Sequence, residues 1–272
     1  MNTETAPTFA RQIGEIARAA GDAIMAVYRS DFAVQTKADA SPLTAADLAA
    51  QQVILAGLGR LDPLLPILSE EAKALPWEER RHWSRYWLVD PLDGTREFVK
   101  RNGEFTVNIA LIDQQQSVLG VVLAPVTGEL YIAARGQGAW LQAQADHDWK
   151  RISTRPLHKP SVVAGSRSHG GSQQSMLEQL VGSDYELVAL GSSLKFCLIA
   201  RGAADVYLRL GLTSEWDTAA AQCVLEEAGG AVLDLAGRPF CYNRGESLLN
   251  PEFIAVGDST LDWAARLRAA QQ

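Results

Sequence analysis

Residues 87–95 read WLVDPLDGT, and this stretch does most to decide the fold. Its three leading apolar residues predict a strand that ends at Asp90. The proline fixes one backbone angle and the glycine permits a tight reversal, so we expect a rigid turn that aims Asp90 and Asp93 at one point, with Thr95 close behind. Two carboxylates, a hydroxyl and turn carbonyls suit a hard cation such as Mg²⁺. Asp, Pro and Gly are also ordinary residues of a polar turn.

The composition indicates a globular protein with a substantial core. The chain has 272 residues, enough for one large or two medium domains, with 47% hydrophobic and 21% charged residues. Its formal charge of −7 argues against nucleic-acid polymers as partners, because those require a broad basic surface. A small anionic substrate stays compatible, since a local cationic pocket can oppose the overall charge.

The three cysteines favour a reducing compartment. Cys197, Cys223 and Cys241 show no C-x-x-C spacing, which predicts free thiols and no structural zinc. The first two lie in apolar helical patterns, so we expect them to be buried. The polar first seven residues do not resemble a signal peptide, and no apolar run reaches the roughly 20 residues that span a bilayer. We therefore expect a cytoplasmic protein, at most peripheral on a membrane.

The hydrophobic periodicity divides the chain into two parts. In the first, it predicts helices at 8–28 and 44–61 and then an antiparallel meander of strands at 65–69, 86–90, 105–113, 118–124 and 129–134. In the second, it predicts strands at 161–165, 185–190, 204–209, 231–235 and 253–256, with helices at 172–181, 193–201, 218–228 and 260–270. This pattern predicts an α+β half at 1–157 and an α/β half at 158–272.

Further acidic residues accompany the central turn. Glu70 ends an apolar run, where sheet proteins often place sites, although a solvated loop would also explain it. Asp217 directly precedes a helical run, so its alternative role is a helix N-cap. Asp47 lies within the second predicted helix, where a surface carboxylate is the ordinary interpretation.

The acidic residues gain meaning when they are taken together. Glu70, Asp90, Asp93 and Asp217 supply enough carboxylate to hold two or three Mg²⁺ ions beside a substrate phosphate. A carboxylate–hydroxyl pair such as Asp47 with Thr95 can then orient and deprotonate a water molecule. The sequence therefore predicts metal-assisted phosphate chemistry.

Three ordered motifs carry a family resemblance. S-E-E at 69–71, D-P-L-D-G-T at 90–95 and W-D-T-A-A at 216–220 resemble the inositol monophosphatase superfamily of Mg²⁺-dependent, lithium-sensitive phosphatases. The resemblance covers nearly the whole chain and implies a layered αβαβα sandwich with the site between its halves, most metal ligands being in the first. It implies that Asp47 and Thr95 activate the water. The implied metal ligands are Glu70, Asp90, the Leu92 carbonyl, Asp93 and Asp217.

Within this superfamily, the bacterial 3′(2′),5′-bisphosphate nucleotidases are the most similar subgroup. Segments 81–90, 97–109, 166–169 and 191–197 resemble it more than they resemble the inositol enzymes. That resemblance implies removal of the 3′-phosphate from adenosine 3′,5′-bisphosphate, a by-product of sulfate activation, to give AMP and phosphate. It also leaves open a peripheral association with the inner face of the cell membrane, and either a monomer or a homodimer.

The substrate contacts are predicted partly on physical grounds. Residues 191–193 open a helix, where exposed amides bind phosphate well, and Lys195 adds positive charge unless it is a solvated surface lysine. Arg167 and His169 follow a strand end and can contact a second phosphate or the adenine, although a solvated loop would also explain them. The predicted contacts are Gly94, Thr95, Ser166, Arg167, His169, Gly191, Ser192, Ser193, Lys195, Arg209 and Asp217.

Arg209 marks the departure from the inositol enzymes, which tend to carry an acidic residue at this position. A cation disfavours a neutral polyol ring and favours an additional anionic group. An inositol monophosphatase or a fructose-1,6-bisphosphatase is therefore the second hypothesis. The third is a non-catalytic nucleotide-binding sensor, which would not need Asp47 and Thr95. Phe240 and Tyr242 are candidates for holding the base by position alone.

Overall fold

The structure is a computed structural model that describes residues 5–36, 42–73, 75–165 and 171–271. The helices of these residues are α1 (Thr8–Tyr28), α2 (Ala45–Leu61), α3 (Trp77–Arg80), α4 (Thr95–Val99), α5 (Gly171–Val181), α6 (Leu194–Ala200), α7 (Glu215–Glu227) and α8 (Trp263–Ala270). The strands are β1 (Val34–Thr36), β2 (Pro42–Thr44), β3 (Ile67–Ser69), β4 (Arg85–Asp93), β5 (Thr106–Asp113), β6 (Gln116–Leu123), β7 (Leu130–Ala134), β8 (Ala139–Gln142), β9 (Lys150–Ile152), β10 (Ser161–Gly165), β11 (Tyr185–Ala189), β12 (Val206–Arg209), β13 (Ala231–Asp234) and β14 (Phe253–Val256).

Two large sheets organise the chain. The first has seven strands in the order β3-β4-β5-β6-β7-β8-β9 and is antiparallel except for the parallel pair β3–β4. The second has five strands in the order β11-β10-β12-β14-β13 and mixes parallel with antiparallel pairs. The predicted antiparallel meander is therefore confirmed from β4 to β7, but it is wrong for the strand predicted at 65–69, which is β3 and runs parallel to β4. A separate pair, β1–β2, precedes α2.

The helices and sheets alternate in five layers. One hydrophobic core lies between α1, α2 and the seven-stranded sheet, and a second lies where α6 and α7 fill the space between the two sheets. A third core lies where α5 and α8 cover the outer face of the five-stranded sheet. The predicted αβαβα sandwich is confirmed.

Small residues bring the layers close together. Helix α1 buries Ala10, Ala17 and Ile24 on one face, and Gly21 lies on that face so tightly that a Cβ there would be 2.6 Å from the side chain of Leu123. This face follows the 3.6-residue period that predicted the helix. At Gly120 on β6 a Cβ would lie 2.1 Å from the backbone carbonyl of Ala220, so α7 packs directly on the seven-stranded sheet.

The change from one sheet to the other falls between β9 and β10, the interval that contains the predicted boundary at 157/158. That the two parts are separate domains stays a prediction. Both Cys197 and Cys223 are buried, as expected from their helical patterns, and Cys241 is partly exposed. No helix among the described residues is long and apolar enough to cross a membrane.

Candidate active site

The central turn is built around a bulge in β4. Asp90 pairs with Asn108 of β5 and Asp93 pairs with Thr106, so β4 holds one residue more than its partner over this interval. The strand thus continues to Asp93, beyond the predicted end at Asp90. The Leu92 amide donates to Asp90 Oδ1 at 3.0 Å. Gly94 follows with φ +94, a left-handed conformation that glycine adopts without strain, and α4 begins at the next residue.

Three carboxylates meet at the end of this turn. The parallel pairing of Ser69 with Val89 brings Glu70 beside Asp90. Helix α7, which lies between the two sheets, brings Asp217 in its first turn to the same place. One oxygen from each of Glu70, Asp90 and Asp217 lies within 4.8 Å of the other two. The prediction that these segments converge agrees with this geometry.

The electrostatics of the cluster fit a divalent cation. Burial raises the pKa of Asp90 well above its ordinary value, and the charges of Glu70, Asp93 and Asp217 raise it further. Burial also raises the pKa of Asp217 to about 8, with Asp93 as the next cause. Among the described residues no donor reaches the buried Asp90 Oδ2. A hard cation would satisfy that oxygen and offset the mutual repulsion of the carboxylates.

Asp93 is held by donors from two directions. Its Oδ2 accepts hydrogen bonds from the Ser193 amide at 2.7 Å and the Ser193 hydroxyl at 3.1 Å. Longer contacts to the same oxygen come from Asn108 Nδ2 at 3.4 Å and Thr106 Oγ1 at 3.5 Å. Burial raises the pKa of Asp93, while the nearby Lys195 ammonium and the Ser193 hydrogen bonds oppose that rise.

Asp47 and Thr95 form the expected pair. The Thr95 hydroxyl donates to Asp47 Oδ1 at 3.2 Å. Asp47 Oδ2 accepts from the Thr44 amide at 2.8 Å and the Thr44 hydroxyl at 2.7 Å, which completes a capping box at the start of α2. Asp47 is fully buried, so the alternative of a surface carboxylate is wrong.

Asp217 occupies the equivalent place on α7. The helix begins at Glu215, three residues before its predicted start, and Ser214 is the N-cap. Asp217 is the third residue of the helix, and its Oδ2 accepts a hydrogen bond from the Ser214 amide at 2.9 Å. The alternative in which Asp217 is the N-cap itself is therefore wrong, because Ser214 fills that position. Asp47 and Asp217 therefore each lie in the first turn of a helix, where one carboxylate oxygen accepts a hydrogen bond from the backbone amide of the N-cap residue.

The loop at 191–193 binds carboxylates with two of the amides that were expected to be exposed. The Gly191 amide donates to Glu104 Oε2 at 2.9 Å, and the Ser193 amide donates to Asp93. The expectation of free amides at these two positions is therefore wrong. Ser192 between them has φ +48 and a buried hydroxyl that has no hydrogen-bond partner among the described residues.

A cavity of about 280 Å³ adjoins the acidic cluster, and Lys195, Arg209 and Lys100 contribute to its lining. Lys195 is 7% exposed and its Nζ donates to the carbonyls of Ser192 and Leu190 at 2.8 and 3.2 Å, so the solvated-lysine alternative is wrong. Burial lowers its pKa to about 8. Arg209 donates to two carbonyls of the following turn and faces the same cavity.

The structure does not describe every residue that was predicted to contact substrate. Ser166, Arg167 and His169 lie outside the described residues. Phe240 and Tyr242 are buried in the interior, where the Tyr242 hydroxyl contacts Thr218 and Gln222. Their suggested role in holding a base is therefore wrong.

Besides Lys100 in the cavity lining, two residues that support the site were not predicted. Asn108 and Glu104 reach the loop at 191–193 through their side chains. Asn108 was detectable as a polar residue in the middle of an otherwise apolar strand, whereas no local pattern distinguishes Glu104.

The chain belongs to the inositol monophosphatase family, whose model matches residues 8–270. It is 51% identical over 245 residues to the 3′(2′),5′-bisphosphate nucleotidase CysQ of Escherichia coli (strain K12), covering 89% of this chain and 97% of that one. The crystal structure of CysQ from Bacteroides thetaiotaomicron is similar, with a TM-score of 0.80 and 39% identity over 92% of this chain and 97% of that chain. The extragenic suppressor protein suhB from Bartonella henselae has a TM-score of 0.76 at 26% identity, covering 97% and 98%. The acidic cluster agrees with the metal dependence of this family.

Proposed function

We propose that this chain is a 3′(2′),5′-bisphosphate nucleotidase that removes the 3′-phosphate of adenosine 3′,5′-bisphosphate, giving AMP and phosphate. The observation that carries the proposal is the meeting of Glu70, Asp90 and Asp217 beside a cavity that Lys195 and Arg209 line. Such a cavity offers one place for a metal-bound phosphate and further positive charge for a second anionic group. The names of the relatives that are 51% and 39% identical support the same activity.

The assigned metal is Mg²⁺, two or three ions of which we expect at the cluster, with Li⁺ as an inhibitor. When bound, Mg²⁺ would neutralise the phosphate and lower the pKa of a coordinated water. The oxygen-only donor set supports a hard cation rather than zinc. The assigned ligands are the carboxylates of Glu70, Asp90, Asp93 and Asp217 and the backbone carbonyl of Leu92.

The Asp47–Thr95 pair supplies the base. The Thr95 hydroxyl already donates to Asp47 Oδ1, so its oxygen can accept a proton from a water molecule as its own proton moves to the carboxylate. Because the two Thr44 donors fix the Asp47 side chain, the pair is preorganised before substrate arrives.

Substrate selection is assigned to the cationic side of the cavity. Lys195 carries a buried positive charge close to Asp93, and Arg209 presents a guanidinium on the same wall. We assign the neighbouring contacts to Gly94, Thr95, Gly191 and Ser192, whereas the Ser193 donors are bonded to Asp93 and to the Asp217 carbonyl. A second phosphate matches these cations better than the neutral hydroxyls of inositol do, so an inositol monophosphatase is not favoured. Fructose 1,6-bisphosphate also carries a second phosphate, and it is the names of the similar proteins that favour the nucleotide over it. The Asp47–Thr95 pair counts against a sensor without activity, since binding alone requires no base.

The physiological setting follows from the substrate. Adenosine 3′,5′-bisphosphate arises in sulfur metabolism, so we place the reaction in the cytoplasm.

The proposal is tested by the identity of the product. Phosphorus NMR distinguishes the 5′-phosphate of AMP from a 3′-phosphate, so a digest of adenosine 3′,5′-bisphosphate with Mg²⁺ shows which ester is cut. We expect AMP and free phosphate, no reaction with a chelator, and no turnover by Asp93→Asn. Release of the 5′-phosphate instead, or equal turnover with chelator present, would overturn the assignment.

A further inference from the structure

Ser193 connects the two acidic residues that come from opposite halves of the chain. It is 1% exposed, and its amide and hydroxyl both contact Asp93 Oδ2. The same hydroxyl lies 2.8 Å from the backbone carbonyl of Asp217. Ser193 therefore touches the end of β4 and the first turn of α7 at once.

Asn108 determines which way the Ser193 hydroxyl points. Its Nδ2 donates to Ser193 Oγ at 3.0 Å, and both side chains are buried. A serine hydroxyl has one proton to donate, and here its oxygen already accepts from Asn108. The proton must then go to Asp93 Oδ2 or to the Asp217 carbonyl, the two acceptors within reach.

The polar groups of Ser193 are thus used inside the protein. The hydrogen bond from the Ser193 backbone amide to Asp93 Oδ2 is the shortest that this carboxylate receives from the described residues, at 2.7 Å. A substrate that took either donor would leave a buried carboxylate or carbonyl short of a hydrogen bond, which is costly. This makes Ser193 better suited to hold the acidic residues than to contact substrate directly.

We propose that Ser193, oriented by Asn108, is a positioning residue that fixes the Asp93 carboxylate relative to α7 and so prepares the cation-binding centre. The inference rests on the proposed function, because that function assigns Asp93 and Asp217 as metal ligands. The Ser193 amide and, at longer distances, Asn108 Nδ2 and Thr106 Oγ1 restrain one oxygen of Asp93. The Ser193 hydroxyl either adds a hydrogen bond to that oxygen or ties the same residue to the Asp217 carbonyl, so the Asp93 carboxylate has a set orientation before a cation binds. Hydrogen-bonded partners of this kind orient ligands and strengthen metal binding.

The test measures cation binding without substrate. Isothermal titration of the full chain with Mn²⁺, a spectroscopic and functional substitute for Mg²⁺, gives the dissociation constant for wild type and for Ser193→Ala. We expect Ser193→Ala to weaken Mn²⁺ binding by about ten- to a hundredfold, the range for loss of a ligand's hydrogen-bond partner. At saturating Mn²⁺ the KM for adenosine 3′,5′-bisphosphate should stay within about twofold of wild type, because the substitution removes no contact between the protein and the substrate.

Ser117→Ala is the matched control. Ser117 is also buried, and its hydroxyl donates to another backbone carbonyl of α7, that of Ala219, at 2.7 Å. It removes the same kind of bond to the same helix without touching Asp93, so its Mn²⁺ affinity should equal that of wild type. Asn108→Leu removes the donor to Ser193 at similar side-chain size and should weaken Mn²⁺ binding in the same direction. If circular dichroism shows that Ser193→Ala does not fold, the Mn²⁺ affinity of Asn108→Leu decides whether the positioning role holds.

The outcomes separate this inference from the proposed function. Wild-type Mn²⁺ affinity in Ser193→Ala overturns the positioning role, whatever the KM. If the KM is raised at the same time, Ser193 is a substrate contact, and the proposed activity stands. Equal weakening in Ser117→Ala also overturns it, since any loss of a bond to α7 would then suffice. A wild-type chain that binds no Mn²⁺ refutes both the metal assignment and the inference.

Discussion

Replacing Asp47 with asparagine tests the assigned base while preserving the shape of the site. Asp47 Oδ2 faces two Thr44 donors and Oδ1 faces the Thr95 hydroxyl. An asparagine must turn its oxygen toward the two donors of Thr44, which leaves its amide nitrogen 3.2 Å from Thr95 Oγ1. The hydrogen bond to Thr95 is then reversed, and the Thr95 proton loses its carboxylate acceptor and can point only to the Leu92 carbonyl at 3.4 Å, which is no base.

The size of the effect follows from that reversal. Thr95 can no longer pass a proton to residue 47, so the assigned general base is removed. General-base catalysis contributes about 10²- to 10⁴-fold, and we expect kcat of Asp47→Asn to fall by about that factor. This loss corresponds to about 3 to 5 kcal/mol of transition-state stabilisation. The contacts to Thr44 remain, so the fold should persist.

The assay compares kcat at saturating Mg²⁺ with Mn²⁺ affinity measured separately. Because Asp47 is not an assigned ligand, Mn²⁺ should bind to Asp47→Asn as it does to wild type. Thr44→Val is the control, since it removes one donor to Asp47 and leaves Thr95 untouched. It should lose about 1 kcal/mol of stability through the weakened helix start. Its kcat should fall far less than that of Asp47→Asn, because the Thr44 amide still holds Asp47 Oδ2 and the carboxylate can still accept the proton. A kcat of Asp47→Asn close to that of wild type would refute the reasoning.

Three further predictions concern the cavity, the packing and the interior. Arg209→Ala should raise the KM for adenosine 3′,5′-bisphosphate by about tenfold or more through loss of a charge-assisted contact, but not that for p-nitrophenyl phosphate; equal effects on both would contradict the assignment. Gly120→Ala should lower the free energy of unfolding in urea by about 2 kcal/mol or more, because its Cβ would lie 2.1 Å from the Ala220 carbonyl; unchanged stability would disprove this tight contact. Burial raises the pKa of Glu215 from 4.5 to about 7, so wild type should lose up to about 3 kcal/mol relative to Glu215→Gln as pH rises from 4.5 through about 7; parallel pH profiles of unfolding would contradict it.

Long periodic elements were predictable from the sequence. Helix α1 has the predicted bounds, because its buried apolar positions repeat from Ala10 to Ile24, about four turns of one face. The short elements α3, α4, β1, β2, β8 and β9 were not predicted. Each has three to five residues, too few to show a period, and most lack the continuous apolar run that marks the equally short β14.

The starts of α2 and α7 were partly predictable from the sequence. Thr44 and Ser214 each stand three residues before an aspartate, a spacing typical of a capping box. That pattern would have placed Asp47 and Asp217 inside the first helical turn, where the structure has them, rather than on a surface or at the cap.

The hydrogen bonds that join the residues of the site were not predictable from the sequence. Ser193 meets Asp93 across 100 positions of sequence, and Asn108 meets Ser193 across 85. Such contacts depend on the packing of the two halves, which no local pattern encodes. The burial of Lys195 has the same origin, since the surrounding Tyr207 ring and loop carbonyls come from the assembled fold.

The most direct test of the account is phosphate release from adenosine 3′,5′-bisphosphate, inositol 1-phosphate and fructose 1,6-bisphosphate, measured side by side with Mg²⁺ and then with added Li⁺. The account predicts rapid release from the nucleotide, inhibition by Li⁺, and much slower release from both sugar phosphates. Preference for inositol 1-phosphate would contradict the role given to Arg209 and to the cationic side of the cavity, and preference for fructose 1,6-bisphosphate would contradict the choice of a nucleotide as substrate. No release from any of the three would contradict the catalytic assignment itself.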